Sequence, residues 1–293
     1  MRNTILICFV FIFLFVDKSY SQYDPQYVET KTVSISGDTY AIEKLMRKDN
    51  RIKVKYFAAK DYGGTSVYQK YSNWSSSKKV VAVSSGTYMT DCIASIASPV
   101  GLCIDNGVVV NENLSDNLDG LVIVYATGGA VATNLKVGDL SITYQNGTKK
   151  TVDIKNNAFQ RAEFIKWAKD LSATVFQTHL FVYKDNITIS PFNSSSVIAP
   201  RRFLAVCRIG GEIVHYIINL PFSASLYNGS IKAYNYLKKY EDVTEVTFMI
   251  NLDPGCQNIY QVYNKNGTIS NDSNFKGDVS IINAANLLVY YYE

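Results

Sequence analysis

Val246 to Tyr263 reads VTFMINLDPGCQNIYQVY. Val246, Phe248, Ile250 and Leu252 make a β-branched and apolar run of strand length, buried on at least one face, that stops at Asp253-Pro254-Gly255. The strand therefore delivers a carboxylate to a tight turn. Pro254 holds Asp253 extended, and Gly255 lets the backbone turn with its amides accessible to an anion. Taken alone, Pro-Gly marks only a turn after a core strand.

Working outward, the chain carries repeated turn signals between short apolar runs. Asp105-Asn106-Gly107, Asn146-Gly147, Gly210-Gly211 and Asn266-Gly267 supply the positive φ of tight hairpins. Two helices interrupt them. Phe164, Trp167, Ala168 and Leu171 share one face of a helix from about Ala158, capped by Asn156 or Asn157; Ile231, Tyr234 and Leu237 share one from Ser230 to Tyr240. The class expected is α+β, strand-rich, with largely antiparallel or mixed sheets and a few helices.

Arg2, an apolar run from Ile5 to Val16 and the small residues Ser19 and Ser21 read as a signal peptide over residues 1–21, cleaved before Gln22. Residues 22–50 then read as an N-terminal arm and 51–293 as the main domain. No later apolar stretch is long enough to span a bilayer, so a secreted or periplasmic location is expected. With 293 residues and 47% hydrophobic composition the chain can bury a sizeable core. The formal net charge is +4 with basic residues scattered, which gives no backbone-binding stripe and argues against a nucleic-acid partner. There is no CxxC, the two histidines are far apart in sequence, and no nucleotide-binding loop occurs, so neither metal nor cofactor is expected. Export would allow Cys92, Cys103, Cys207 and Cys256 to form disulfides, Cys92 with Cys103 and Cys207 with Cys256 being one connectivity; buried thiols are the alternative. Asn-x-Ser/Thr acceptors at Asn73, Asn113, Asn146, Asn186, Asn193, Asn228, Asn266 and Asn271 suit a glycoprotein if the host is eukaryotic or a eukaryotic virus.

Four segments, in order, resemble the phosphodiester glycosidase domain family. Asn251-Leu252-Asp253-Pro254-Gly255 is similar to its NLDGG motif. Val83-Ser84-Ser85-Gly86-Thr87-Tyr88 followed by Pro99-Val100-Gly101-Leu102 is similar to its NAG-x-(F/Y) and P-x-GL segments. Phe176-Gln177-Thr178-His179-Leu180 resembles its Q-(S/T)-x-P-L, and Pro200-Arg201-Arg202-Phe203 its PRT segment. The resemblance covers about Val80 to the C-terminus. It departs from the family at Ser84, where the family has Asn, at Pro254, which replaces Gly, and at Cys256-Gln257, which replace Gly-Ser.

The resemblance implies an exported hydrolase that cleaves a sugar–phosphate bond. Asp253 and Arg201 would be catalytic, the carboxylate stabilising an oxocarbenium-like state and the guanidinium clamping phosphate. Ser84, Ser85, Gly86, Gln177, His179, Asn251 and Gly255 would bind the substrate. A second carboxylate, usual in glycosidases, falls nearest in motif position to Asp91, Asp105 or Glu212. The departures motivate an alternative, a catalytically inactive carbohydrate- or phosphate-binding module of the same fold.

Overall fold

A computed structural model describes residues 24–59, 66–91, 96–191, 197–255 and 257–293. The segments read as signal peptide, Cys92, Cys256 and the Asn193 acceptor lie outside the described residues. In chain order the strands are β1 (Val28–Ile35), β2 (Asp38–Met46), β3 (Ile52–Ala58), β4 (Lys79–Ser84), β5 (Cys103–Asp105), β6 (Val108–Asn111), β7 (Gly120–Val124), β8 (Ala130–Asn134), β9 (Ser141–Thr143), β10 (Lys149–Thr151), β11 (Thr174–Thr178), β12 (Leu180–Tyr183), β13 (Asn186–Ile187), β14 (Ala199–Ile209), β15 (Glu212–Ala224), β16 (Glu245–Leu252), β17 (Tyr260–Val262) and β18 (Asn286–Tyr292). The α-helices are α1 (Val67–Ser75), α2 (Ala158–Asp170) and α3 (Leu226–Tyr240). The fold is strand-rich α+β, and each pairing among the described strands is antiparallel.

Three sheets share one core. The seven-stranded sheet runs β1-β2-β15-β14-β16-β12-β13, the five-stranded sheet β6-β5-β11-β7-β8 and the four-stranded sheet β17-β4-β18-β3; β9 and β10 form a separate hairpin. Leu204, Val206 and Ile250 from the first, Phe176 and Val122 from the second, and Tyr56, Ala82 and Tyr290 from the third meet in a single apolar cluster. Tyr56 stacks on Phe176 at 4.4 Å between ring centres, locking two sheets together. Residues 38–46 are continuous with this frame, because β2 pairs with β15 from Ala41 to Met46.

Alternation along β14 sets up the second layer. Leu204 and Val206 face the shared core, while Phe203, Ala205 and Cys207 face the opposite side, where α3 packs through Leu226, Ala233, Tyr236 and Leu237. Similarly α2 covers the five-stranded sheet with Phe164, Trp167 and Ala168, and α1 packs Val67 and Tyr71 beside β3, β4 and β18. The expected caps hold where their side chains accept amides: Asn157 caps α2 through Gln160 N at 3.1 Å. Helix α3 begins four residues before the expected Ser230, because Ser225 accepts from Asn228 N at 3.1 Å and Gly229 lies inside the helix. Gly229 is there for space. A Cβ at that position would meet Arg201 Cγ at 3.1 Å and Phe203 Cζ at 3.3 Å. Helix α1, capped by Ser66, was not expected from the sequence.

The expected disulfides are corrected. Cys103 and Cys207 are free, buried thiols. Cys207 pairs in register with Val246, whereas the Asp253 turn follows the Arg202–Leu252 pair. Five residues of strand put roughly 16 Å between Cys207 and the Arg202–Leu252 pair.

Candidate functional site

Strand β16 ends at Leu252 and hands Asp253 to the turn. The β4 exit comes from another sheet and is stitched to it. Asp253 N donates to Gly86 O at 2.8 Å, and the Ser85 hydroxyl donates to the Asp253 carbonyl. Gly86 is required here, since a Cβ would lie 2.5 Å from Asn286 Oδ1 and 2.6 Å from Tyr56 Cε2. Asp253 Oδ1 accepts the Gly255 amide at 2.9 Å. Burial pushes the Asp253 carboxyl above its ordinary range, and the Gly255 amide, then Arg202 and Arg201, pull it back.

The two arginines lie on opposite faces of β14, and the charge of each acts on Asp253. Arg201, on the α3 side, donates from Nε to Ala224 O at 2.9 Å and from its guanidinium to Val197 O. Burial lowers its pKa, and the nearby Tyr88 and Asp253 raise it. Arg202, on the shared-core side, is fully buried; it donates to Ile259 O at 3.0 Å and Asn258 Oδ1 at 2.8 Å, and its Cζ lies 4.3 Å above the Tyr260 ring centre. It also reaches Ser84 Oγ at 3.4 Å, and burial lowers it to about 10.

Tyr88 completes the group. Its hydroxyl is 2.7 Å from Asn251 Nδ2, and its ring stands edge-on to His179 at 5.1 Å. Burial raises the phenol, the Asp253 charge raises it further, and Arg201 opposes both. His179 is half-buried and held below its ordinary pKa by burial, with Asp119 raising it and Arg201 lowering it. Neutral imidazole is therefore its form at pH 7. Asp253, Arg201, His179, Asn251 and Tyr88 thus form one electrostatically connected group at the end of β16.

Other expected site residues have different roles. Gln177 is not beside His179: the chain switches sheets at Thr178, leaving Gln177 buried in β11 and His179 in the link to β12. Its Oε1 accepts Leu102 N at 3.0 Å and Ser115 N at 2.9 Å, and its Nε2 donates to Ser115 O at 2.9 Å and to Leu118 O. The side chain is a staple between loops, with no donor left for a ligand. The Gly86 and Thr87 amides both donate to Asn286 Oδ1, at 2.8 and 3.0 Å, and the Gly255 amide serves Asp253, so these donors are occupied. Ser84 is buried, its hydroxyl donating to Ser85 O at 2.7 Å.

Of the carboxylates proposed as a second acid or base, Asp105 is buried in β5, accepting Ala58 N at 3.2 Å beside Lys70 at 3.5 Å. Glu212 opens β15 opposite Ile209, seven residues along β14 from Arg202, or roughly 23 Å of strand. Asp91 follows Tyr88 on a hairpin arm held by Thr90 N to Ser98 O at 2.9 Å. Asp119, whose charge acts on His179, was not anticipated; it pairs with Lys136 at 2.5 Å and Lys155 at 3.1 Å. Its Leu-Asp-Gly context marks only a turn. Arg202 and Asn258 were missed as well, because alternation shows which face a residue takes and not what lies opposite. Among the described residues no group of three or more His, Cys, Asp or Glu side chains is placed to hold a metal ion.

No protein-family model matches this chain, and no curated protein matches it. Solved structures are similar at low identity. The zebrafish N-acetylglucosamine-1-phosphodiester alpha-N-acetylglucosaminidase catalytic domain, auto-inhibited by pro-peptide, is 12% identical with a TM-score of 0.48, over 94% of this chain and 87% of that one. A hypothetical protein from Synechocystis is 11% identical with a TM-score of 0.48, over 91% of this chain and 62% of that one.

Proposed function

We propose that this chain is an exported hydrolase that cleaves the sugar–phosphate bond of a phosphodiester-linked sugar. The observation that supports it is the gathering of Asn251, at 2.7 Å, and His179, edge-on at 5.1 Å, around Tyr88, near enough to Asp253 and Arg201 for their charges to act on the phenol. The resemblance of the surrounding segments to phosphodiester glycosidases gives that group its chemistry.

In this reading Asp253 stabilises the oxocarbenium-like state, and a phosphate monoester leaves with little protonation. Arg201 uses two of its five N–H groups on the carbonyls of Ala224 and Val197, and the other three, which have no partner among the described residues, would serve phosphate oxygens. Tyr88 and His179 line the sugar side. Export rests on the apolar run from Ile5 to Val16. No helix among the described residues is long and apolar enough to cross a membrane. The acceptors Asn73, Asn113, Asn146, Asn186, Asn228, Asn266 and Asn271 are all exposed, which suits glycans on the surface. Endoglycosidase treatment of protein made in a eukaryotic secretory pathway should lower its mass, and an unchanged mass would remove the glycoprotein reading.

The test is release of free N-acetylglucosamine from a GlcNAc-1-phosphodiester by the mature chain. Asp253→Asn and Arg201→Ala should each lose about 100-fold or more in kcat/KM while keeping the fold. The acid limb of the wild-type profile should lie above the ordinary aspartate range, because burial raises the carboxyl. Equal rates for all three proteins would end the proposal.

One observation favours the second reading, a binding module without turnover. The Gly86, Thr87 and Gly255 amides, which would face a developing oxyanion, are already hydrogen-bonded within the protein. Pro254 has no N–H at all. Saturable binding of the diester without product release would select this reading.

A further inference from the structure

Beside the face that packs on β14, helix α3 carries a stripe that runs from the buried Tyr236 out to the exposed Asn235, Lys239 and Tyr240. Lys232, Asn235, Tyr236, Lys239 and Tyr240 fall at i, i+3, i+4, i+7 and i+8, one stripe of the helix. This stripe and the β1–β2 turn line an open pocket of about 610 Å³ that Tyr40, Ser36 and Asp38 border. The volume lies within the range of small-molecule sites. Three aromatic rings lie in series along it: Tyr40 on Tyr236 at 5.5 Å and 19°, then Tyr236 on Tyr240 at 6.0 Å and 30°. Tyr40 and Tyr236 are buried, so they are rigid; Tyr240 is 48% exposed and offers an edge to a ligand.

The charge of the cavity is cationic and unevenly engaged. Lys232 pairs with Asp38, and Lys238 with Asp185 at 3.3 Å. Lys239 has no ion pair among the described residues, its ammonium lying 5.2 Å from the Tyr240 ring centre. Beneath the rings Glu241 is satisfied from inside, by Lys31 at 2.7 Å, Lys44 at 3.4 Å and the Tyr216 and Tyr236 hydroxyls. It therefore does not neutralise Lys239.

We propose that this cavity is a separate binding site for an anionic monosaccharide or short saccharide, phosphorylated or sulfated. The exposed part of the Tyr240 ring, held in place by the buried Tyr236 and Tyr40 beneath it, offers apolar area to sugar C–H groups, the Asn235 amide offers a donor and an acceptor to hydroxyls, and Lys239 receives the anion. A concave pocket of this size suits a sugar better than an acidic peptide, whose partners are usually broad and flat. The site is distinct from the Asp253 group. From Gly229, which touches Arg201, to Tyr236 the helix rises roughly 10 Å, and to Lys239 roughly 15 Å.

The experiment titrates the mature protein with glucose 6-phosphate, glucose and inorganic phosphate, following backbone amide shifts by NMR, with a polyglutamate peptide as a further arm. Shifts should concentrate at residues 35–40 and 232–240, and glucose 6-phosphate should bind at least about tenfold more tightly than glucose or phosphate alone. Lys239→Gln and Tyr240→Ala, both surface changes, should each weaken binding about fivefold or more while leaving the fold and hydrolysis unchanged. Asp253→Asn should leave this binding intact, which separates the outcome from that of the hydrolase reading. Equal affinity for phosphate and the sugar phosphate, tighter binding of the peptide, or shifts confined to the Arg201 end would each overturn the proposal.

Discussion

The Asn251 amide nitrogen and the Tyr88 hydroxyl lie 2.7 Å apart, joining β16 of one sheet to the segment that leaves β4 of another. Asn251 is completely buried, and its Oδ1 has no hydrogen-bond partner among the described residues. Whichever way the amide is turned, one of its polar atoms has the hydroxyl and the other has nothing. Such an orphan in a core is costly, and sites of this kind cluster where function constrains the residue.

Tyr88→Phe removes the one partner and leaves both amide atoms unsatisfied. The expected loss is about 1–3 kcal/mol of stability in urea unfolding. Adding Asn251→Leu to Tyr88→Phe should recover part of that loss, because two apolar groups need no partner. A double variant less stable than Tyr88→Phe alone would show that Asn251 is held by contacts other than this one.

Gln177→Ala strips partners from Leu102 N, Ser115 N and the carbonyls of Ser115 and Leu118 together. A stability loss of about 3 kcal/mol or more is expected, with KM of the remaining folded protein unchanged. Gln177→Glu should also destabilise, since a carboxylate accepts the two amides and cannot donate to the two carbonyls. The opposite pattern, a raised KM at wild-type stability, would return Gln177 to substrate binding.

Local demands were legible in the sequence and non-local ones were not. Asn106-Gly107 and Gly210-Gly211 adopt positive φ of 50°, 79°, 55° and 91°, the requirement that made them readable as hairpins. Asp253 was legible because a strand pattern and Pro-Gly fix a turn residue without reference to the rest of the chain. Helix α1 was hidden by Ser72, Asn73 and Ser75, residues that form helix poorly. Its place is set by Trp74 packing edge-on against Phe57 at 5.3 Å and Tyr291 at 4.8 Å. The switch between β11 and β12 at Thr178 sends two adjacent strands into different sheets, which no periodicity records. Alternation alone therefore puts Gln177 and His179 on one face, and the switch separates them.

The free thiols allow a direct check. Cys103 and Cys207 are fully buried, and burial raises both well above the ordinary thiol range. Native protein exposed to iodoacetamide should leave both unmodified, and denatured protein without reductant should be alkylated at both. Mass spectrometry of peptides that span each position reads the outcome, and no reductant-sensitive cross-link is expected at either. A disulfide-linked peptide containing Cys207 would contradict the free, buried state of that thiol.

Glu43 predicts an unusual pH response. Its carboxyl is on β2, faces the shared core and is completely buried; among the described residues only the Thr30 hydroxyl reaches it, donating to Oε2 at 2.7 Å, while Oε1 has no partner there. Burial raises its pKa from 4.5 to about 8, against the lowering by Thr30. Between those values the folded state keeps a proton that the unfolded state has released, so the unfolded state binds fewer protons and stability falls as pH rises. The stabilisation is complete below pH 4.5 and is lost as pH climbs through about 8. Its upper size is on the order of 4–5 kcal/mol. Asp105 and Asp253 are raised by burial in the same direction, so the wild-type curve alone does not isolate Glu43. The comparison with Glu43→Gln does. Glutamine keeps an acceptor for Thr30 and carries no charge, so the variant should lose the Glu43 part of the slope and exceed wild type in stability at pH 8. Urea unfolding across pH 4.5 to 9 for both proteins measures the difference, and parallel curves would mean that Glu43 titrates at its ordinary value and finds a partner in the fold.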